Sequence, residues 1–185
     1  MSKIPKEPLS KVNKWRNLKR ARPTNIMTAG AGQESVWDYP RPPRVEPEKR
    51  RIRVEFGGLI IADSDRTYRV LETASPPVYY IPQGDIQMKY LEPGNKSTLC
   101  EWKGKARYWT VRVGKKLSEN AGWSYMQPWV GFELLTDYIA FNASKLDACY
   151  VENEKVLPQP GNYYGGWITS EIVGPFKGGP GTEGW

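Results

Sequence analysis

Cys100, Glu101, Trp102 and Lys103 place a thiol, a carboxylate, an indole and an ammonium side by side in "STLCEWKGKARYWTV". A thiol flanked by a cation could act as a nucleophile once ionised. A second group stands in "RVLETASPPVYYIP", where Arg69 and Glu72 are followed within a few residues by Tyr79 and Tyr80. A glutamate buried near tyrosines could carry a raised pKa and move a proton. Each group also has an ordinary structural reading. Alternation along one strand would put Cys100 and Trp102 in the core, with Glu101 and Lys103 on the opposite face. Glu72 could simply close a turn by pairing with an arginine or a tyrosine.

Two weaker patterns are set aside. Asp63 and Asp65 follow Gly57-Gly58 as a D-x-D pair, as in sites where two carboxylates hold magnesium for nucleotidyl transfer. They come too soon after the glycines and at an expected hairpin tip, so a turn is the reading taken. "KGGPGTEG" places Lys177 before its glycines, the reverse of a phosphate-binding loop.

The chain of 185 residues contains no histidine. That excludes Ser-His-Asp and Cys-His activation within the chain, and the two-histidine zinc motifs. Two cysteines, Cys100 and Cys149, cannot build an ordinary structural zinc site. No metal and no cofactor are expected. No apolar leader is legible before the domain, so a cytoplasmic protein with both thiols reduced is expected.

The elements that must hold these groups follow from patterning. The net charge of +7 is uneven: residues 1–33 hold eight basic groups against Glu7 alone, and the remaining 19 basic and 19 acidic groups cancel. Of the 23 aromatic residues only Trp15 lies in that segment. The chain therefore divides into a basic extension, 1–33, and one β domain, 34–185. "LSKVNKWRNLKRARP" predicts a short amphipathic helix over about 10–21, capped by Ser10 after Pro8 and stopped by Pro23. Val12, Trp15 and Leu18 would share its apolar face. Residues 24–33 read as a flexible linker and 39–47 as an extended proline-rich arm. From Arg50 the period becomes two, as in "RIRVEF". Short strands follow, with helical turns in "PQGDIQMKYL" and "WVGFELL", and a strand runs through 97–103 to a break at Gly104. "DYIAFN", "DACYVEN" and "KVLP" read as a meander, and "KGGPGTEGW" as a C-terminal wrap. The pattern predicts a mostly β fold, a single compact barrel or tent-like β sandwich with one or two short helical turns.

"ESVWDYPRPPRVEP", "RVLETASPPVYYIP", "CEWKGKARYWTV", "ENAGWSY" and "YYGGWITSEIVGPFKGGPGTEGW" together resemble the bacterial and fungal domain-of-unknown-function 427 family, over about residues 34–185. The resemblance implies a compact, mostly β domain akin to tent-like folds. The family is sometimes labelled a nucleotidyltransferase-type domain. It rests on Arg69, Glu72, Pro77, Tyr79, Tyr80, Cys100 through Gly104, Trp123 and Gly165-Gly166-Trp167. The chain departs from the common "ETSHPPVYY" form at Ala74-Ser75, where it lacks the histidine.

Two functional readings follow. In the first, the protein is a non-catalytic accessory that docks its β domain on an acidic protein surface or large assembly through residues 1–23. Lys11, Val12, Lys14, Trp15, Arg16, Leu18, Lys19 and Arg20 would make the contact. An anionic membrane surface could be met by the same face, and nucleic acid ranks behind both. In the second, Arg69, Glu72, Tyr79, Tyr80, Glu101, Lys103, Trp123 and Trp167 line a pocket for a small molecule, with or without turnover.

Overall fold

The computed structural model describes residues 6–185, with side chains from Ser10 onward. The chain opens with α1 (Lys6–Arg16) and continues through β1 (Glu34–Ser35), β2 (Arg44–Glu48), β3 (Ile52–Phe56), β4 (Leu59–Ser64), β5 (Thr67–Glu72) and β6 (Ser75–Pro82). Then come β7 (Leu91–Cys100), β8 (Gly104–Val113), β9 (Lys116–Ser124), β10 (Tyr138–Phe141) and β11 (Ala148–Val151). Four two-residue strands close it: β12 (Glu154–Lys155), β13 (Leu157–Pro158), β14 (Trp167–Ile168) and β15 (Ile172–Val173).

Seven strands form one antiparallel sheet in the order β2-β5-β6-β10-β9-β8-β7, and four form a second in the order β12-β11-β3-β4. The large sheet ends in β2 and β7 and does not close, so of the two expected architectures the sandwich is the one found. The alternation in "IRVEF" buries Ile52, Val54 and Phe56 and leaves Arg53 and Glu55 half-buried. These three meet Tyr79, Ile81, Trp109, Val111, Ile139 and Phe141 from the large sheet in one core. Burying one such side chain contributes about 1.5–3 kcal/mol, enough for the set to fix how the sheets face each other.

Strand β6 is buried on both faces because the large sheet carries a second apolar layer on its far side. Tyr79 points into the sandwich, and its neighbour Tyr80 points the other way, with Val70, Ala106, Tyr125 and Ala140. Phe132 and Leu135, from the loop between β9 and β10, cover part of this far side.

Several expectations are corrected. Residues 138–158 are not one meander: β10 inserts between β6 and β9 in the large sheet, β11 pairs with β3 and β12, and β13 pairs with β14. The continuous apolar run of "YIAF" suits a strand buried on both faces, as β10 is in the middle of the large sheet. The helix spans Lys6–Arg16 rather than about 10–21, so Ser10 lies inside it and Pro8 in its first turn, where proline needs no donor. Its last turn tightens through Leu18 N–H to Trp15 O (3.3 Å) and ends there, because the following chain is held against the domain. Ala21 N–H donates to Gly184 O (2.7 Å) and Met27 N–H to Gly174 O (3.0 Å). Near the C-terminus Lys177 N–H donates to Ala74 O (2.9 Å), and Trp185 packs edge-on against Trp37 at 5.5 Å.

Candidate functional site

The far face of the large sheet is not fully covered. Val70 and Glu72 of β5, Val78 and Tyr80 of β6, Trp123 of β9, Ala106 and Tyr108 of β8, and Thr98 and Cys100 of β7 floor a cavity of about 430 Å³. Its walls come from elsewhere: Trp15 in the last turn of α1, Leu18 and Arg20 just after it, Arg41 on the proline-rich arm, and Tyr163, Tyr164, Gly165 and Lys177 near the C-terminus.

Its charged end is built on two carboxylates. Glu72 Oε1 lies 3.0 Å from Arg41 Nη1 and 3.6 Å from Lys177 Nζ, and its Oε2 lies 3.9 Å from Lys103 Nζ. Glu101 Oε1 is 2.9 Å from Arg41 Nη2 and 3.8 Å from Arg20 Nη2. Four cations thus surround two carboxylates, an excess of two positive charges, and Lys96 and Lys145 also line the cavity. Burial alone would raise the pKa of Glu72, but Lys177, Lys103 and Arg41 outweigh it and hold the carboxyl below its ordinary value. Burial alone would lower Lys103, yet Cys100, Glu72, Tyr80 and Glu101 push it above the usual lysine range. Burial wins for Lys177, which is lowered, with Arg41 and Arg20 adding to the effect against Glu72. Burial pushes the Tyr80 phenol up to about 12. At neutral pH Glu72 is therefore a fixed anion, Lys103 a fixed cation and Tyr80 a neutral donor. Of the two sequence readings of Glu72, the raised-pKa proton carrier does not fit these three cations, whereas a structural pairing with an arginine does.

The aromatic wall has its own supports. Trp123 Nε1 donates to Tyr80 Oη (3.2 Å), and the two rings meet edge-on at 6.4 Å. Gly165 passes so close that a Cβ there would sit 2.4 Å from the Trp123 ring, so any larger residue at this crossing would force that ring to shift. Tyr163 packs edge-on against Tyr164 at 5.0 Å, and Lys177 Nζ lies 4.7 Å from the Tyr164 ring.

The strand expected through 97–103 is corrected as well. Cys100 pairs with Gly104, and Glu101, Trp102 and Lys103 form the turn between β7 and β8. Gly104 makes this possible: its φ is +93°, and Trp129 packs where a Cβ would be, 3.0 Å away. Alternation does not operate in a turn, so Cys100, Glu101 and Lys103 all reach the cavity. Lys103 is 7% exposed.

Of the expected pocket residues, Glu72, Tyr80, Glu101, Lys103 and Trp123 converge there. Arg69 does not: it pairs with Glu34 (3.0 Å) and Glu46 (3.0 Å) on the opposite face of β5. Tyr79 and Trp167 are fully buried in the sandwich, 5.2 Å apart, with Trp167 Nε1 donating to Phe141 O (2.8 Å). Arg41, Tyr108, Tyr163, Tyr164 and Lys177 were not expected in the site. Tyr108 stands two residues beyond Ala106 on β8, so strand alternation from the "CEWKG" motif could have found it, whereas Arg41, Tyr163, Tyr164 and Lys177 are distant in sequence and no local spacing ties them to the site.

Of the residues 1–23 expected to dock on a partner, 1–5 lie outside the described residues. Val12 is buried, and Trp15 and Leu18 line the cavity. Arg16 Nε donates to Glu101 O (2.6 Å), and its guanidinium stacks between Trp102 (5.3 Å) and Trp129 (5.2 Å). Lys11, Lys14 and Lys19 are exposed. Asp63 is held by Arg51 at 2.7 and 2.6 Å, away from the cavity. Among the described residues no three His, Cys, Asp or Glu side chains converge as a metal-binding set.

A family model described as "Domain of unknown function (DUF427)" matches residues 44–152. No curated protein matches the chain. The matched span supplies Glu72, Tyr80, Glu101, Lys103 and Trp123, whereas Arg20, Arg41, Tyr164 and Lys177 come from chain outside it.

Proposed function

The chain belongs to the domain-of-unknown-function 427 family, and we propose that it is a binding domain for a small organic anion with a planar apolar body. The observation that carries this reading is the excess of cations over carboxylates at one end of an aromatic-walled cavity of about 430 Å³. Lys103 has its nearest carboxylate at 3.9 Å, beyond hydrogen-bond reach, which leaves its donors for a ligand. Tyr80 accepts from Trp123 and keeps its own O–H to give. The ligand's carboxylate or phosphate would sit among Arg41, Lys103 and Lys177, with its ring against Tyr80, Trp123 and Tyr163. A carboxylate, an ammonium and a phenol fixed in charge at neutral pH suit holding a ligand better than shuttling a proton. Binding without turnover is therefore the preferred form of the reading.

The test is calorimetric titration with 2-naphthoate, 1-naphthyl phosphate and the neutral 2-naphthylmethanol. Saturable 1:1 binding of the anions, at least about tenfold tighter than the alcohol, is expected from one or two charge-assisted hydrogen bonds. Equal affinity for the alcohol, or no binding of either anion, would overturn the reading.

A second reading, docking on an acidic protein surface through residues 1–23, is supported by the exposure of Lys11, Lys14 and Lys19. Val12, Arg16 and Arg20 are already engaged by the domain, so a partner would meet only this outward face. Reversing the three lysines to glutamate should abolish co-purification with such a partner. Undiminished co-purification would refute docking.

A further inference from the structure

We infer that the end of α1 and the segment after it are part of the ligand site, and that Arg20 is the group by which they grip the anion. This rests on the organic-anion reading above and goes further, by assigning a ligand contact to the N-terminal segment that precedes the matched family span.

Arg20 lines the cavity with a side chain only 25% exposed, yet its charge is poorly met. Its nearest carboxylate oxygen is 3.8 Å away on Glu101, and Arg41 already holds that same oxygen at 2.9 Å. Its Nε is buried and has no hydrogen-bond partner. A buried guanidinium N–H without an acceptor is unfavourable, and an arginine fork matches a carboxylate or phosphate in two parallel bonds. A ligand anion among Arg41, Lys103 and Lys177 would supply the missing acceptor. Trp15 and Leu18, which also line the cavity, are 37% and 48% exposed, far more open than a core residue. A planar ligand body would cover them.

The segment is also wired to the rest of the site. Arg16 donates to the carbonyl of Glu101, in the turn that carries Lys103, and stacks on Trp102 of that turn. Val12 anchors the helix in the domain with no exposed surface. Docking of the segment and placement of Lys103 therefore share one contact, and anion binding and segment docking must favour each other reciprocally.

The experiment titrates 1-naphthyl phosphate and 2-naphthylmethanol into the full chain and into Arg20→Gln, Arg20→Lys, Lys19→Gln and Lys103→Met. Arg20→Gln should weaken the phosphate about tenfold or more, as expected for a charge-assisted bond, and leave the alcohol unchanged. Arg20→Lys should recover part of the loss, and Lys19→Gln should bind like the parent. Amide hydrogen exchange over residues 12–22 of the unmodified chain should slow when the phosphate is added. If the parent binds the phosphate and Lys103→Met does not, while Arg20→Gln binds normally and exchange over 12–22 is unaltered, the role of Arg20 fails and the organic-anion reading stands. If the parent shows no preference for the phosphate over the alcohol, both fail.

Discussion

Replacing Glu72 with glutamine removes one charge from the centre of the site and almost no volume. Its carboxylate faces cations at 3.0, 3.6 and 3.9 Å. At an effective dielectric of about 20, these distances correspond to gross attractions of about 5.5, 4.6 and 4.3 kcal/mol. Burying the carboxylate and crowding the three cations offset most of that sum. Breaking a buried ion pair by removing one partner has a net effect of about 3–5 kcal/mol, because the remaining charges are left unpaired. The cavity admits water, so the lower figure is appropriate. For a chain of this size about 3 kcal/mol lowers Tm by roughly 6–12 °C. Thermal and urea unfolding of Glu72→Gln against the parent would measure it. The variant also has an acid-limb signature. The folded pKa of Glu72 lies below its ordinary value of 4.5, so its contribution is fully present above about that pH. As pH falls through the folded pKa the contribution is lost, because the unfolded chain takes up the proton first. The difference between parent and variant should therefore be constant near neutrality and shrink below about pH 4.5. A Tm within about 2 °C of the parent at pH 7, a shift expected of less than roughly 1 kcal/mol, would refute the placement of Glu72 as the electrostatic hub.

Other outcomes follow from the same geometry. Iodoacetate should modify Cys100, which lines the cavity, in the native chain, and Cys149, 1% exposed, only on unfolding; equal labelling by mass spectrometry would contradict this. The anionic reagent should outpace neutral iodoacetamide at Cys100, relative to their rates on the unfolded chain, because cations line the approach. Gly165→Ala should push Trp123 off its place and destabilise the fold by about 1–3 kcal/mol, with loss of naphthoate binding; a parent-like titration would show that the wall gives way. Asp63→Asn removes an exposed pair with Arg51 and should change stability by less than about 1 kcal/mol, with naphthoate binding intact. Lost binding in that variant would reopen the nucleotidyl-transfer reading of the D-x-D pair.

The sheet was legible where burial is one-sided or the period is strict. "RIRVEF" reads as β3 on alternation alone, and the central "PPVYYIP" reads as a strand because prolines fence it. Pairing order was not legible. "YIAF" carries no sign that it enters between β6 and β9, since its neighbours are set by tertiary packing. The site was half legible for the same reason. Glu72, Tyr80, Glu101, Lys103 and Trp123 came from local clusters of chemistry, and all five line the cavity. Tyr79 and Arg69 shared those clusters but point to the other face of the sheet, because a strand sends adjacent side chains in opposite directions. In "CEWKG" the same rule was applied where it does not hold, because Gly104 turns the chain there. Arg20, Arg41 and Lys177 lie 31–105 residues from Glu72 in sequence, and only the fold brings them to it.

A crystal structure of the protein with 1-naphthyl phosphate would show whether this cavity holds the anion. The phosphate should lie within hydrogen-bond distance of Lys103 and of Arg41 or Lys177, with the naphthyl ring against Tyr80 and Trp123. A naphthyl phosphate bound on another surface while this cavity holds only water would contradict that placement.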